Sequence, residues 1–411
     1  MVLKYIIANW SVFGLNLVAR ATIHQFQEEY AKYNQCDSLQ TAAYSLQDGS
    51  NLAAELVAHY PDRIISDEID DNGGDDWFSN DIEITQELYD RLVYFSKICA
   101  LSYCISKNEL FPGKTLADGA CPSRLRFCSD ENVNPTIHKT KVELVLLADK
   151  HELGTGYVAV DHKKKLVMLV FRGSTTNQDW LSDFMIHPVR YLPSSREYYD
   201  ELVEDGTIRP CKGCRLYSGF HLFLRTLSTH FFEHIETISR RHPGYRLVVT
   251  GHSLGAALAI LAGIELKLRG FDPLVLTYAC PNIFNSALRD WVDDLFESDE
   301  IHAQSVEERR VIFERGYFRV VHMQDYITMI PPFYKPAGLE IFIKKLFLPH
   351  GIEDLVYKGF QPGLLLPQPD PDGVTGSGRG QGHRWLVLAE KWLHMYEHRA
   401  YFLLINTCEG F

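Results

Sequence analysis

Apolar residues recur at helical spacing from Thr85 onward. Leu88, Leu92, Tyr94, Phe95, Ile98, Cys99 and Leu101 predict an amphipathic helix running to Tyr103 and Cys104. The period then changes. Glu143 to Ala148, Gly156 to Asp161 and Leu166 to Phe171 are short apolar runs parted by polar turns, which predicts an antiparallel meander with Lys163-Lys164-Lys165 at a solvated hairpin tip. From Phe220 the stripe Phe223, Leu227, Phe231, Ile235 and Ile238 predicts a second helix. Its last turn carries Arg240 and Arg241, where cations suit the dipole, and His242-Pro243-Gly244 ends it. Leu247 to Thr250 predicts a strand, followed by a helix through Ala256, Ala257, Leu258, Ile260, Leu261 and Ile264 that is apolar on most faces and therefore buried. Leu274 to Ala279 and Phe318 to Met323 predict further strands, and Trp385 to Leu404 a strongly apolar helix. Helices alternating with strands imply an α/β class: a central, mostly parallel sheet with helices on both faces, preceded by the meander.

Other stretches read differently. Residues 22–82 lack a core pattern and include the acidic run Asp67 to Asp76, so they are expected to be an extension or propeptide. Residues 1–21 combine Lys4, an apolar Tyr5 to Val18 and Ala19-Arg20-Ala21, which resembles a secretory signal. The segment 287–315 is acidic, with Asp290, Asp293, Asp294, Glu297, Asp299 and Glu300 on an expected solvated helical face. Gly359 to His383, rich in proline and glycine, reads as a loop.

Composition narrows the function. A net charge of -12 argues against a nucleic-acid partner, which would require clustered Lys and Arg. No run of 18 or more apolar residues occurs in the sequence, so no spanning helix is expected. Nine cysteines leave at least one unpaired within a single chain. Cys211-Lys212-Gly213-Cys214 lies in a loop without a second pair of suitable spacing, and reads as a local disulfide, which fits an exported protein.

The chemistry gathers at Gly251-His252-Ser253-Leu254-Gly255. Placed between a strand and a helix, Gly-x-Ser-x-Gly is a nucleophile elbow: the serine projects from a strained turn, and the flanking glycines let helix and strand approach. A serine nucleophile requires a histidine base and a carboxylate to orient it, in the chain order Ser, Asp or Glu, His. Asp325 lies just past a strand end and suits the second role. His383, His394 and His398 all follow it, and residue patterning does not separate the last two. His394 and His398 are also spaced like two helical metal ligands, but the glutamate of a His-Glu-x-x-His site is misplaced. The turn Arg172-Gly173-Ser174 after the third meander strand is a suitable source of oxyanion donors. Beyond it, Trp180, Leu181 and Phe184 share one face of a short helix, either packed on the core or serving as a lid.

Taken together these residues resemble the fungal class 3 lipases, over about residues 83 to 411. Leu101-Ser102-Tyr103-Cys104 resembles the end of that family's first helix and Phe171 to Ser174 its oxyanion loop. Asp179 to Phe184 resembles its lid, Gly251 to Gly255 its elbow, His322-Met323-Gln324-Asp325 its acid segment, and His398 to Phe402 with Ile405 to Cys408 its C-terminus. The resemblance implies an α/β-hydrolase fold and a serine hydrolase with Ser253 as nucleophile, Asp325 as acid and His398 as base. It further implies oxyanion donors at Ser174 and Leu254, and disulfides Cys104–Cys408 and Cys211–Cys214. Cys121 and Cys128 do not match the family's third bridge in spacing. Thr328 stands where a proline is usual, which would loosen the acid loop, and Ala256 where a glycine is common. The expected activity is hydrolysis of a lipid ester, a triacylglycerol foremost, at a lipid–water interface in a secretory location, without metal or organic cofactor. Alternatives are a feruloyl or short-chain esterase or a phospholipase of the same fold, and a catalytically idle lipid- or protein-binding member.

Overall fold

In the computed structural model, residues 82–148, 154–174, 188–217, 219–220, 223–224, 231–323, 325–330, 334–359 and 395–411 are described. The expected signal, nearly all of the N-terminal extension, the lid residues Trp180, Leu181 and Phe184, and the histidines His383 and His394 lie outside them.

The meander forms as β1 (Thr140–Leu146), β2 (Gly156–Asp161) and β3 (Leu166–Phe171), paired antiparallel. Two short strands, β4 (Pro188–Arg190) and β5 (Arg215–Tyr217), pair separately. The main sheet continues through β6 (Arg246–His252), β7 (Leu274–Tyr278), β8 (Gly316–His322), β9 (Leu339–Ile343) and β10 (Leu355–Gly359). Its order is β1-β2-β3-β6-β7-β8-β9-β10, parallel from β3 to β9 and antiparallel again at β10. The two strands after Asp325 were not expected. They carry the parallel layer past the acid strand, so β8 is an interior strand and its C-terminal end is held from both sides.

Helix α1 (Gln86–Ser102), capped by the Thr85 side chain, packs on one face of the sheet together with the C-terminal residues Tyr401, Ile405, Cys408 and Phe411. The other face is covered by α2 (Phe232–Arg241), α3 (Leu254–Leu268) and α4 (Ser286–Leu295). In α3 every residue but Lys267 is buried, as expected of a helix without a polar face. The helix can lie this close because Gly263 faces Val275: a Cβ there would stand 2.4 Å from the Val275 side chain.

Several expectations need correction. Helix α4 and the following α5 (Ser298–Glu307) are acidic, but Asp293 is not solvated. It is 5% exposed, accepts the Gly338 N–H at 2.6 Å and the Ser298 hydroxyl at 3.2 Å, and burial pushes its carboxyl up to about 6. The apolar segment expected to be helical to Leu404 is helical only at 395–397 among the described residues, after which it turns sharply, with Phe402 at φ 66°. Past residue 397 the apolar Tyr401, Leu404 and Ile405 are buried from turns and not from a helix. Cys121 and Cys128, left unassigned by spacing, are bonded to each other, beside Cys104–Cys408 and Cys211–Cys214. Cys99 and Cys280 are buried free thiols.

Candidate active site

Strand β6 hands directly to α3 through Ser253, whose backbone sits at φ 58°, ψ -126°. For a residue with a side chain this costs on the order of 1–3 kcal/mol, and it persists only where the surroundings impose it. Two glycines do so. A Cβ on Gly251 would meet the Gly255 carbonyl oxygen at 2.2 Å, and one on Gly255 the Phe171 carbonyl oxygen at 2.4 Å. Only bare backbone lets the helix start press against both β6 and the end of β3. Ser253 is thereby aimed over the C-terminal ends of the parallel strands.

Asp325, expected as the acid, emerges one strand over but one. After His322 closes β8, Asp325 caps a 3-10 turn (Tyr326–Met329), and its Oδ1 accepts the Ile327 N–H at 3.0 Å. Thr328, expected to loosen this loop, closes it instead: its hydroxyl donates to the Asp325 carbonyl at 2.8 Å and its N–H to the same oxygen at 3.2 Å. The Tyr401 hydroxyl donates to Asp325 Oδ2 at 2.6 Å, and its own oxygen accepts the His322 N–H. Burial alone would raise the Asp325 carboxyl. The His398 charge and hydrogen bond, followed by the Tyr401 hydroxyl, outweigh it and hold the carboxyl below its ordinary value.

His398 joins the two. Its Nδ1 lies 3.0 Å from both Asp325 oxygens and its Nε2 2.8 Å from Ser253 Oγ. An Nδ1–H directed at the carboxylate leaves Nε2 free to accept the Ser253 proton, the arrangement required to make a hydroxyl nucleophilic. All three side chains are buried, Ser253 at 3%, Asp325 at 1% and His398 at 7% exposure, so their electrostatic interactions are little screened. His398 lies past the end of the short helical turn at 395–397, not on a helix.

The third component is the loop after β3. Gly173 packs against the elbow: a Cβ there would lie 2.3 Å from the Tyr103 oxygen, 2.6 Å from the His252 carbonyl oxygen and 3.3 Å from Ser253 Cβ. Ser174 follows, half-buried, while Leu254 opens α3, where the helix N-terminus presents its free N–H groups. The structure thus brings Ser253, Asp325 and His398 into one hydrogen-bonded row, with the Gly173 turn beside it.

Four residues of the site escaped the sequence reading. Tyr103, His252, His322 and Tyr401 all lay inside quoted motifs without assigned roles, and no spacing rule marks them. Among the described residues, no group of three or more His, Cys, Asp or Glu is placed to hold a metal ion. Nor is any helix among them long and apolar enough to cross a membrane.

The profile of the family described as Lipase (class 3) matches residues 168–335. The Saccharomyces cerevisiae protein named "Putative lipase LIH1" is 54% identical over 332 residues, which cover 81% of this chain and 98% of that one. The chain belongs to the class 3 lipase family. Lipase A of Sodiomyces alcalophilus is similar more distantly, at 25% identity over 79% of this chain and 83% of its own. The crystal structure of Lip2 lipase from Yarrowia lipolytica superimposes with a TM-score of 0.57 at 23% identity, over 80% of this chain and 97% of that chain, which establishes the shared α/β-hydrolase fold. Family membership makes the protein a carboxylic ester hydrolase whose substrates are lipid esters.

Proposed function

We propose that Ser253, His398 and Asp325 form the catalytic triad of a lipase acting on long-chain acylglycerols, triacylglycerols foremost. The observation that supports this most is the unbroken row Ser253 Oγ–His398 Nε2, His398 Nδ1–Asp325, at 2.8 and 3.0 Å, ending on a serine held in a strained turn. In the reaction, Ser253 Oγ attacks the ester carbonyl while His398 Nε2 takes its proton. Asp325, held ionised, stabilises the imidazolium so formed. The tetrahedral oxyanion is received by the Leu254 N–H and by Ser174, through its N–H and hydroxyl. His398 then returns the proton to the leaving glyceride alcohol, giving an acyl-serine, and water activated by the same imidazole releases the fatty acid. Neither metal nor organic cofactor takes part.

In this reading residues 83–411 form the hydrolase domain, with a secretory signal at 1–21 and an extension at 22–82. Trp180, Leu181 and Phe184 form a lid whose apolar face meets the lipid. Burying each such side chain is worth about 1.5–3 kcal/mol, and a lipid surface could supply that as well as the protein core. A secretory location agrees with the bridges Cys104–Cys408, Cys121–Cys128 and Cys211–Cys214, since disulfides persist in oxidising compartments. Partial glycerides are a second reading. Relatives from Penicillium cyclopium and Penicillium camembertii, 32% identical over 139 residues, are named secreted mono- and diacylglycerol lipases.

The test is hydrolysis of a long-chain triacylglycerol across its solubility limit, wild type beside Ser253→Ala. A wild-type rate that climbs once droplets form, with turnover lower by about a millionfold in the variant, is expected. Activity on diacylglycerols alone would select the second reading, and serine-dependent activity only on short soluble esters would make the protein an esterase. Equal background from both proteins would remove the catalytic role of Ser253.

A further inference from the structure

The base His398 is held by its backbone as well as by its ring. The His252 Nε2 stands 2.7 Å from the His398 carbonyl oxygen, and the His322 Nδ1 stands 3.0 Å from the carbonyl oxygen of the preceding residue, Glu397. Two buried histidines, from the ends of β6 and β8, thus contact consecutive carbonyls of the segment that carries the base.

Counting protons assigns the tautomer of the first. The His398 carbonyl oxygen can only accept a hydrogen, and a neutral His252 has one to give; its Nδ1 lies 2.8 Å from the Tyr103 hydroxyl, which supplies the other. Nδ1 then accepts, and His252 must carry its hydrogen on Nε2, the atom facing the His398 carbonyl. Tyr103 stays protonated, burial pushing its ionisation far upward, and so has a hydrogen to give. His252 stays neutral, burial and the neighbouring His398 pushing it down to about 3. The result is one directed chain, Tyr103 O–H to His252 and His252 Nε2–H to the His398 carbonyl, with Gly173 packed against the Tyr103 oxygen. It ties the turn after β3, the strand before the nucleophile and the base together.

His322 completes the grip from the acid side. Its Nε2 lies 2.8 Å from the Lys345 carbonyl oxygen, so both ring nitrogens face acceptors; burial favours the neutral ring, whose single hydrogen, carried on Nδ1, holds the Glu397 carbonyl. Its backbone belongs to the acid segment, its carbonyl accepting the Asp325 N–H at 3.1 Å.

We propose that His252 and His322 are positioning residues that set the base by holding the His398 and Glu397 carbonyls, and that Tyr103 extends this hold to the oxyanion turn. The proposal rests on the triad reading above. It goes beyond it by giving the elbow histidine and the acid-strand histidine roles in catalysis without contact with substrate. Displacement of a reacting group by about 1 Å costs on the order of a hundredfold in rate, so loss of either hold should be read in turnover more than in substrate binding.

Amide side chains provide the test, because an Asn amide nitrogen replaces a ring Nδ1 and a Gln amide nitrogen a ring Nε2. For His252 the atom holding the base is Nε2, and for His322 it is Nδ1, so the preferred amide is opposite at the two sites. His252→Gln and His322→Asn should keep kcat within about threefold of wild type. His252→Asn and His322→Gln should lose about 10- to 100-fold in kcat with KM little changed. Equal losses within each pair, moving with thermal stability, would overturn the proposal and leave the histidines as core supports. Imidazole 15N spectra of the wild type give a reading independent of variant folding. A neutral, Nε2-protonated His252 between about pH 5 and 8 is expected, and an Nδ1-protonated or titrating ring would overturn the chain as drawn. Wild type inactive on every ester would fail the triad reading itself, while the tautomer measurement would still judge the hydrogen-bond chain.

Discussion

The proposed nucleophile, Ser253, and the proposed base, His398, are held in opposite ways. Around Ser253 the constraints come largely from neighbours in sequence: β6, two glycines and α3 follow one another without interruption, and the strained turn results from their packing on β3. Around His398 the local bonds only shape turns, such as Arg399 N–H to the Tyr396 carbonyl and Ile405 N–H to the Arg399 carbonyl, both at 2.9 Å. The segment 395–411 has little regular structure and is fixed by partners from elsewhere: Cys104 bonded to Cys408, His252 and His322 at its carbonyls, Asp325 at His398 and Tyr401, and the Leu348 N–H donating to the Tyr396 hydroxyl at 3.1 Å. A contiguous site is rigid wherever its strand and helix are. A tethered one is only as well placed as its tethers, and so is where catalysis can be lost without unfolding.

The largest break in that contrast is chemical. Asp325→Asn keeps a side chain able to sit beside His398 but removes the charge that selects its tautomer. Turnover should fall by about ten thousandfold with a near-native melting curve. Gly255→Ala attacks the other side. The added Cβ would stand 2.4 Å from the Phe171 carbonyl oxygen, backbone that cannot rotate away. A loss of about 3 kcal/mol or more is expected in denaturant unfolding, with fold and activity failing together. Removing the Cys104–Cys408 bridge as the double alanine variant should cost about 2–4 kcal/mol. Hydrogen exchange should then show 401–408 losing protection while 254–268 retains it. Equal loss in both would mean that the bridge supports the whole sheet and not the base segment.

pH acts on the same contrast gradually. Burial and a neighbouring histidine push His252 and His350 down to about 3, so both are neutral when folded. The unfolded chain takes up their protons below about pH 6.5. Stability is therefore full above that value and erodes as pH falls toward 3, by about 1.4 kcal/mol per pH unit for each ring, until the folded rings protonate. Because His350 accepts the Phe402 N–H at 3.4 Å and His252 holds the His398 carbonyl, the base segment should loosen before α3 does. Exchange at pH 5 against pH 7 would show it, and uniform loss across both regions would contradict it.

The same contrast governs what could be read from the chain. The elbow was legible because its determinants are adjacent residues of restricted type, and β1 to β3, α1 and β8 were legible from periodicity. His394 and His398 could not be separated by residue pattern, since what selects the base is distance to an aspartate in another element; only the family resemblance chose. Beyond residue 397 the apolar residues suggested more helix than forms, because Tyr401 and Ile405 are buried in one cluster with α1 and β8, a match to distant partners. Strand β9 did carry a signal, with Leu339, Ile341 and Ile343 buried at alternate positions, but Glu340 broke the apolar run. That glutamate pairs at 2.8 Å with Arg319 on the neighbouring β8, a compensation invisible along the chain. Asp293 was misjudged for the same reason: its partner, the Gly338 N–H, lies 45 residues away.

The most direct measurement is labelling by a long-chain alkylphosphonate ester, with the adduct located by peptide mass spectrometry in wild type, His398→Ala and Asp325→Asn. A single adduct on Ser253 in the wild type is predicted, forming orders of magnitude more slowly in both variants while their circular dichroism stays native. An adduct at another residue, or equal labelling rates in all three proteins, would contradict a Ser253 activated through His398 and Asp325.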